Sequence, residues 1–244
     1  LETSPSLFPL LDADIGKTYQ RILKKRGIDI YLDTEVKAVK VKNNGNVGIS
    51  AILKGVELDI ETEKALISGK RIPLTKDLGL ESIGIRVRDG FIPVDQYQRT
   101  NISNVYAVGD VTGGKMLAHI AMTQGIIAAE NIYGLRSIFD SKTVPTCVYS
   151  QPEIASVGLT EQEGQELGHE VVIGKASMFA NGRALTLDEV DGFAKVVCDA
   201  KTGEILGVHL VGPHVTELIG EASLAMMLEC TSKEIGTLIH AHPT

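Results

Sequence analysis

The segment Asn104–Glu130, NVYAVGDVTGGKMLAHIAMTQGIIAAE, constrains the fold more than any other stretch of the chain. A buried-strand pattern, Val105-Tyr106-Ala107-Val108, runs into Gly109-Asp110, then Gly113-Gly114, then an amphipathic stretch from Leu117 to Tyr133. Strand, glycine turn and helix in that order make a place where an anionic group can meet the N–H groups of a helix start.

The flanking texture differs on the two sides. Before it, Ile15, Tyr19, Ile22 and Leu23 at helical spacing predict a helix over residues 12–26, with Asp12 as N-cap and Gly27 tolerating positive φ at the C-terminus. A strand is expected at Ile28–Leu32, a hairpin with one buried face from Val36–Val41 and Val47–Lys54 around the turn residues Asn43–Asn46, and an inner strand at Ala65–Ser68. A Pro-bounded strand is expected at Gly90–Asp95. Residues 135–144 read as a linker. Beyond Pro145, strands near Thr146–Tyr149, Val171–Lys175, Ala194–Cys198 and Ile205–Val211 precede a helix at Leu218–Glu229, a segregation that argues α+β.

Composition removes several classes of function. A net charge of −7, with the one short basic run at Lys24-Lys25-Arg26, lacks the footprint that a phosphate backbone selects for, so nucleic acid is not an expected partner. No apolar run approaches the length of a bilayer span, so no membrane partner is expected. Cys147, Cys198 and Cys230 are odd in number and widely spaced, which fits a reducing cytoplasm rather than a disulfide framework. His240 and His242 form an HxH pair without Asp, Glu or Cys companions at ligand spacing, so no metal site is expected. The opening Leu1-Glu2-Thr3 and the close at Pro243-Thr244 read as the ends of a piece of a longer protein.

The run 104–130 resembles the second flavin-contacting motif of the pyridine nucleotide-disulfide oxidoreductases, two-cofactor enzymes that pass electrons between NAD(P)H, FAD and a cysteine pair. Pro145–Thr160, PTCVYSQPEIASVGLT, resembles the opening of that family's dimerisation domain, and Phe179–Ala184 and Val211–Ile219 are similar to later stretches of it. The closing HAHPT, His240–Thr244, is similar to the branch that oxidises protein-bound dihydrolipoamide. Related glutathione reductases carry one His before Pro-Thr, and mercuric reductases lack it.

The resemblance implies an α/β and α+β fold: the C-terminal part of a Rossmann-like NAD-binding domain over 1–71, a central FAD-contacting segment over 72–142, and a dimerisation domain over 143–244. It implies a homodimeric flavoprotein that reoxidises the lipoyl-bearing protein of a 2-oxo acid dehydrogenase or glycine cleavage complex, with electrons passing through FAD to NAD. A sister reductase of the glutathione or mercuric type, or a non-catalytic dimerisation module, remains an alternative.

Residue by residue, the resemblance implies that Gly109 and Asp110 meet the FAD ribityl chain, and that Met116, Leu117, Ala118 and His119 present a helix start to the flavin pyrimidine ring. Glu2 would hold the adenosine ribose of NAD and repel the 2′-phosphate of NADP. Ser68–Pro73 falls where the family writes Gly-Arg-x-Pro. Lys70 stands at the glycine that approaches the nicotinamide, or Gly69 takes that place after a one-residue shift. His242 would be the general base for the dihydrolipoamide thiol. Pro243 matches a cis peptide that aims the His242 carbonyl at the partner subunit's flavin.

Overall fold

A computed structural model describes residues 1–244, which fall into two compact units, one of residues 1–67 with 145–244 and the other of residues 68–144. The chain is mixed α/β. Its first half holds α1 (Ala13–Lys25), β1 (Thr34–Val41), β2 (Val47–Leu53), β3 (Val56–Thr62) and α2 (Ala118–Tyr133). Its second half holds β4 (Thr146–Val148), β5 (Glu153–Gly158), α3 (Glu161–Glu166), β6 (Val171–Ser177), α4 (Gly182–Leu187), β7 (Phe193–Asp199), β8 (Ile205–Gly212), α5 (Val215–Met227) and α6 (Ser232–Thr237).

In the larger unit, five antiparallel strands run in the order β4-β5-β8-β7-β6. Side chains alternate across a strand, so the sheet has two faces to cover. α5 covers one, packing Val215, Ile219, Ala222 and Ala225 against Ala155, Val157, Val208 and Leu210. α1 covers the other, packing Ile15, Tyr19 and Ile22 against Ile154, Phe193 and Val211. The central strand β8 is therefore buried along its whole length, which is why its sequence reads as a nearly continuous apolar run. Each fully buried Ile or Val here contributes roughly 1.5–3 kcal/mol. Close approach requires glycine at several positions, among them Gly207, where a Cβ would sit 2.0 Å from the Leu159 carbonyl oxygen, and Gly16, where it would sit 2.4 Å from that of Leu7.

The face under α1 also carries polar groups. Lys195, on β7, is 3% exposed at its side chain, and its ammonium lies 3.0 Å from both oxygens of Asp12, 2.8 Å from Glu161 Oε2 and 3.2 Å from Asp14 Oδ2. Burial opposes its charge, but Glu161 and Asp12 outweigh that and raise its pKa. Asp12 also caps α1 by accepting from the Asp14 N–H at 3.0 Å, and accepts from the Glu161 N–H at 3.3 Å. Burial pushes the Asp12 carboxyl up, while the bonds from Lys195 and the Asp14 N–H bring it down, with the net shift downward. Beside them His209, fully buried, accepts from the Ser156 hydroxyl at Nδ1 (2.7 Å) and donates from Nε2 to the Leu159 carbonyl (3.0 Å). That arrangement suits the neutral ring, and burial lowers its pKa accordingly.

The rest of that unit is a three-stranded antiparallel meander, β1-β2-β3. The expected hairpin is present. β3 extends it through the two-residue turn Lys54-Gly55, both at positive φ, which matches the twist of the strands it joins. In the unit 68–144, α2 runs over a largely irregular chain. Asn131 ties the two together, donating to the Ile127 carbonyl at 2.8 Å and the Ser137 carbonyl at 2.7 Å.

Four expected strands are corrected. Ala65–Ser68 is irregular with Leu66 98% exposed, because apolar composition supplies no ladder partner and none lies alongside. Ile28–Leu32 forms no strand: the Tyr31 carbonyl accepts a single bond from the Glu2 N–H, and the Ile28 N–H donates to Leu23 of α1. At Gly90–Asp95, Pro93 offers no N–H, and pairing is reduced to a bridge between Arg88 and Phe91. Val105–Val108 keeps a single bridge, Arg99 to Tyr106, because its partner segment turns at Gln98, which has φ 65°. β3, β5, α3, α4 and α6 are present in addition to the expected elements.

Removing the Lys195 side chain strands the buried Asp12 carboxylate. Lys195→Ala should lose roughly 3–5 kcal/mol of unfolding free energy at neutral pH, while Asp12→Asn with Lys195→Met should lose less because no unpaired charge remains. The native pKa of Asp12 is depressed, so its contribution is complete above the ordinary aspartate value and disappears as pH falls through the native one. Urea titrations of the two variants at neutral and acid pH check both statements, and the deficit of Lys195→Ala should shrink in acid.

Candidate functional site

The expected site residues lie in both units. Gly69, Gly109, Asp110, Met116, Leu117, Ala118 and His119 belong to residues 68–144, whereas Glu2, His242 and Pro243 belong to the other unit.

In the smaller unit the chain from Val108 enters a 3-10 turn at Gly109–Thr112. Gly109 has φ 78°, and its N–H donates to Gln124 Oε1 on α2 at 2.7 Å. The Thr112 hydroxyl donates back to the Gly109 carbonyl at 2.8 Å and closes the turn on itself, while the Gln124 bond fastens it to the helix it precedes. No side chain caps α2 at Leu117, and its first backbone bond runs from Ala121 N–H to the Leu117 carbonyl. The start of a sixteen-residue helix thus presents N–H groups and a positive dipole end.

Asp110 is half-exposed beside this helix start. Arg71 takes its Oδ2 at 2.5 Å through Nη1, and donates through Nη2 to the Met116 carbonyl at 2.6 Å. One guanidinium thereby joins the Gly109–Thr112 turn to Met116, the residue before the N-cap of α2, and leaves Asp110 Oδ1 open. Arg71 lies inside the Ser68–Pro73 motif, which assigns it no role of its own. The signal was there, a fork-shaped cation in a segment that resembles Gly-Arg-x-Pro. Gly69 is exposed, with no atom within 4 Å of where a Cβ would stand, and Lys70 is exposed as well, so neither is enclosed.

In the larger unit, Glu2 is held by its neighbours. Its Oε1 accepts from the Ser4 N–H at 2.8 Å and the Thr3 hydroxyl at 3.3 Å, and the Ser4 bond, opposed by burial, pulls its pKa down. Its backbone donates to the Tyr31 carbonyl and accepts from Thr34 N–H. The carboxylate is fixed as an acceptor with Oε2 unengaged.

The HAHPT segment follows α6 and is exposed. The His242–Pro243 peptide is cis. His240 Nε2 lies 2.8 Å from Glu221 Oε1 on α5, and the Thr244 carbonyl accepts from Asn181 Nδ2 at 2.8 Å. His242, between them, makes no hydrogen bond to the chain. Asn181 and Glu221 had no expected role. They stand 63 and 19 residues from their partners, a separation no local pattern spans. The three cysteines are free thiols, and burial pushes Cys147 and Cys198 above the ordinary thiol value. No group of three or more His, Cys, Asp or Glu is placed to hold a metal ion, and no helix is long and apolar enough to cross a membrane.

Residues 1–125 match the family profile described as pyridine nucleotide-disulphide oxidoreductase, and residues 144–244 match its dimerisation domain. Along its whole length the chain is 43% identical to a dihydrolipoyl dehydrogenase of Bacillus subtilis, covering 52% of it, and 41% identical to one of Thermus scotoductus, covering 53%. It is 39% identical to a leghemoglobin reductase of Glycine max, covering 47%. The chain spans about half the length of the curated relatives it matches. Among solved structures, LpdA of Mycobacterium tuberculosis superposes with TM-score 0.89 at 28% identity, over 99% of this chain and 52% of that one. The HOCl-induced flavoprotein disulfide reductase RclA of Escherichia coli superposes with TM-score 0.86 at 26% identity, over 99% and 55%.

Arg71→Ala should release the Asp110 turn from the start of α2. The pair is half-exposed, so global stability should change by no more than about 1 kcal/mol. Amide hydrogen exchange over residues 109–119 should nonetheless accelerate several-fold, read by mass spectrometry, while that of α1 and β8 stays unchanged.

Proposed function

This chain belongs to the pyridine nucleotide-disulphide oxidoreductases, and on that premise we propose that it forms the NAD-binding, central and interface regions, 1–71, 72–142 and 143–244, of an NAD-dependent dihydrolipoyl dehydrogenase. The protein would act as a homodimer in the cytoplasm and reoxidise dihydrolipoamide carried by the lipoyl-bearing protein of a 2-oxo acid dehydrogenase or glycine cleavage complex.

The observation that carries this reading is the state of His242. Its ring is exposed and unengaged, while the residues on both sides of it are tied to α5 and to Asn181. A thiol becomes a nucleophile only as its thiolate, and imidazole, the side chain that exchanges protons nearest neutral pH, is the one suited to take that proton. His242 is accordingly assigned as the base for the dihydrolipoamide thiol.

The residues of the other clusters fit the two cofactors of the family. When bound, FAD supplies a two-electron relay and NAD the final hydride acceptor. Asp110 Oδ1 is an open carboxylate oxygen suited to a ribityl hydroxyl, with Gly109 shaping the turn. The uncapped start of α2, from Met116 to His119, suits the pyrimidine carbonyl of a flavin, whose reduced ring is anionic. Glu2 Oε2 suits the vicinal hydroxyls of the NAD ribose and disfavours a 2′-phosphate. Gly69 would stand by the nicotinamide, and Pro243 would set the direction of the His242 carbonyl. For the dimer, α5 offers Leu218, Leu224 and Met227 on the side turned away from the sheet.

The test is kinetic. In the full-length protein His242→Gln should lower dihydrolipoamide oxidation by about 10²- to 10⁴-fold, and leave NADH-driven reduction of an artificial acceptor intact because that needs no thiol deprotonation. Wild-type dihydrolipoamide turnover in this variant would overturn the assignment. Glu2→Ala should weaken NAD by roughly 1–3 kcal/mol and narrow its advantage over NADP, measured as the ratio of kcat/KM values.

A further inference from the structure

Both ring nitrogens of His240 face groups that can only accept. Nε2 lies 2.8 Å from Glu221 Oε1, and Nδ1 lies 3.1 Å from the Leu238 carbonyl oxygen. A neutral imidazole has one N–H and would leave one of these contacts as two acceptors facing each other, so the ring that satisfies both is the imidazolium. The Glu221 carboxylate, the one charged side chain acting on the ring, raises its pKa in keeping with this. His242 is only two residues away and has no such partner. The two histidines of HAHPT therefore have different hydrogen-bonding surroundings.

We propose that Glu221 is a positioning residue: through His240 it fastens the segment that carries His242 to α5. α5 is a rigid support, with Val215, Ile219, Ala222 and Ala225 packed on the sheet. On the other side of His242, Asn181 uses Oδ1 to cap α4 through the Ala184 N–H at 2.9 Å, and Nδ2 to hold the Thr244 carbonyl. His242 is thus carried on a short span held on both sides, by a residue within α5 and by the residue that caps α4. Both partners of the Glu221–His240 pair are about two-fifths exposed, so screening leaves it little weight in global stability. What it determines is where the span lies. The inference rests on His242 being the base proposed above.

Two measurements test it. In nitrogen-15 spectra of the histidine rings of the 244-residue chain, His240 should carry protons on both nitrogens at neutral pH, and Glu221→Gln should return it to a single-proton ring without altering His242. In the full-length protein, Glu221→Gln should lower kcat for dihydrolipoamide by roughly 10- to 100-fold, the scale of a misplaced catalytic group, with the KM for NAD and NADH-driven reduction of an artificial acceptor unchanged. Glu221→Asp, which keeps the carboxylate, should recover part of the loss. A neutral His240 with Glu221 in place, a Glu221→Gln protein with wild-type dihydrolipoamide kcat, or equal loss of both activities would overturn the inference. A wild-type protein without dihydrolipoamide activity would instead sink the functional reading on which it rests.

Discussion

The larger unit is organised by the need to bury one ammonium group. Lys195 sits in the middle of β7 with its side chain directed to the face under α1, and three carboxylates converge on it from Asp12, Asp14 and Glu161. Taking a lysine and an aspartate out of water costs several kcal/mol per ion, so the arrangement persists only if each lone pair and each N–H is met. Asp12 meets that condition three times over, with Lys195, the Asp14 N–H and the Glu161 N–H. The start of α1, the start of α3 and the centre of β7 are thereby held at one point, though they lie far apart in the chain. A one-residue slip of β7 would turn Lys195 into the apolar core under α5, where no carboxylate waits.

From that constraint the two faces of the sheet acquire different characters. Under α5 the contacts are apolar and mainly aliphatic, with Cys198 among them. Under α1 a cluster of aliphatic and aromatic side chains shares the face with the ion group, with His209 kept neutral between Ser156 and Leu159. The aliphatic face leaves α5 as a firm platform, and its outer side carries Glu221, the anchor of the HAHPT segment. The path from a buried charge to an exposed histidine runs through the sheet that both of them need.

Elements with strong local signals were legible in the sequence. α1 follows from its apolar spacing, its Asp12 cap and Gly27 at φ 79°, and α5 and α2 follow from theirs. The failures have a common cause. Leu66 and Ile67 read as a buried strand by composition, yet a strand exists only where a neighbour accepts and donates its bonds, and that information is not local. β5 escaped for the opposite reason, since Glu153-Ile154-Ala155-Ser156 is a weak strand pattern that β8 and β4 stabilise from both sides. At the site, Asp110 and His242 could be marked because each lies in a motif that resembles a known one. Arg71, Asn181 and Glu221 act by reaching across the fold, and their partners are set by packing that no spacing rule encodes.

The most direct test of the Lys195 cluster's role is native-state hydrogen exchange of the 244-residue chain over a rising urea series. If the cluster binds α1 to the sheet as one cooperative body, the slowest amides of Ile15–Lys25 should open with the same free energy and urea dependence as those of β8, and Lys195→Ala should separate the two. Independent opening of α1 at low urea in the wild-type chain, with β8 still protected, would contradict it.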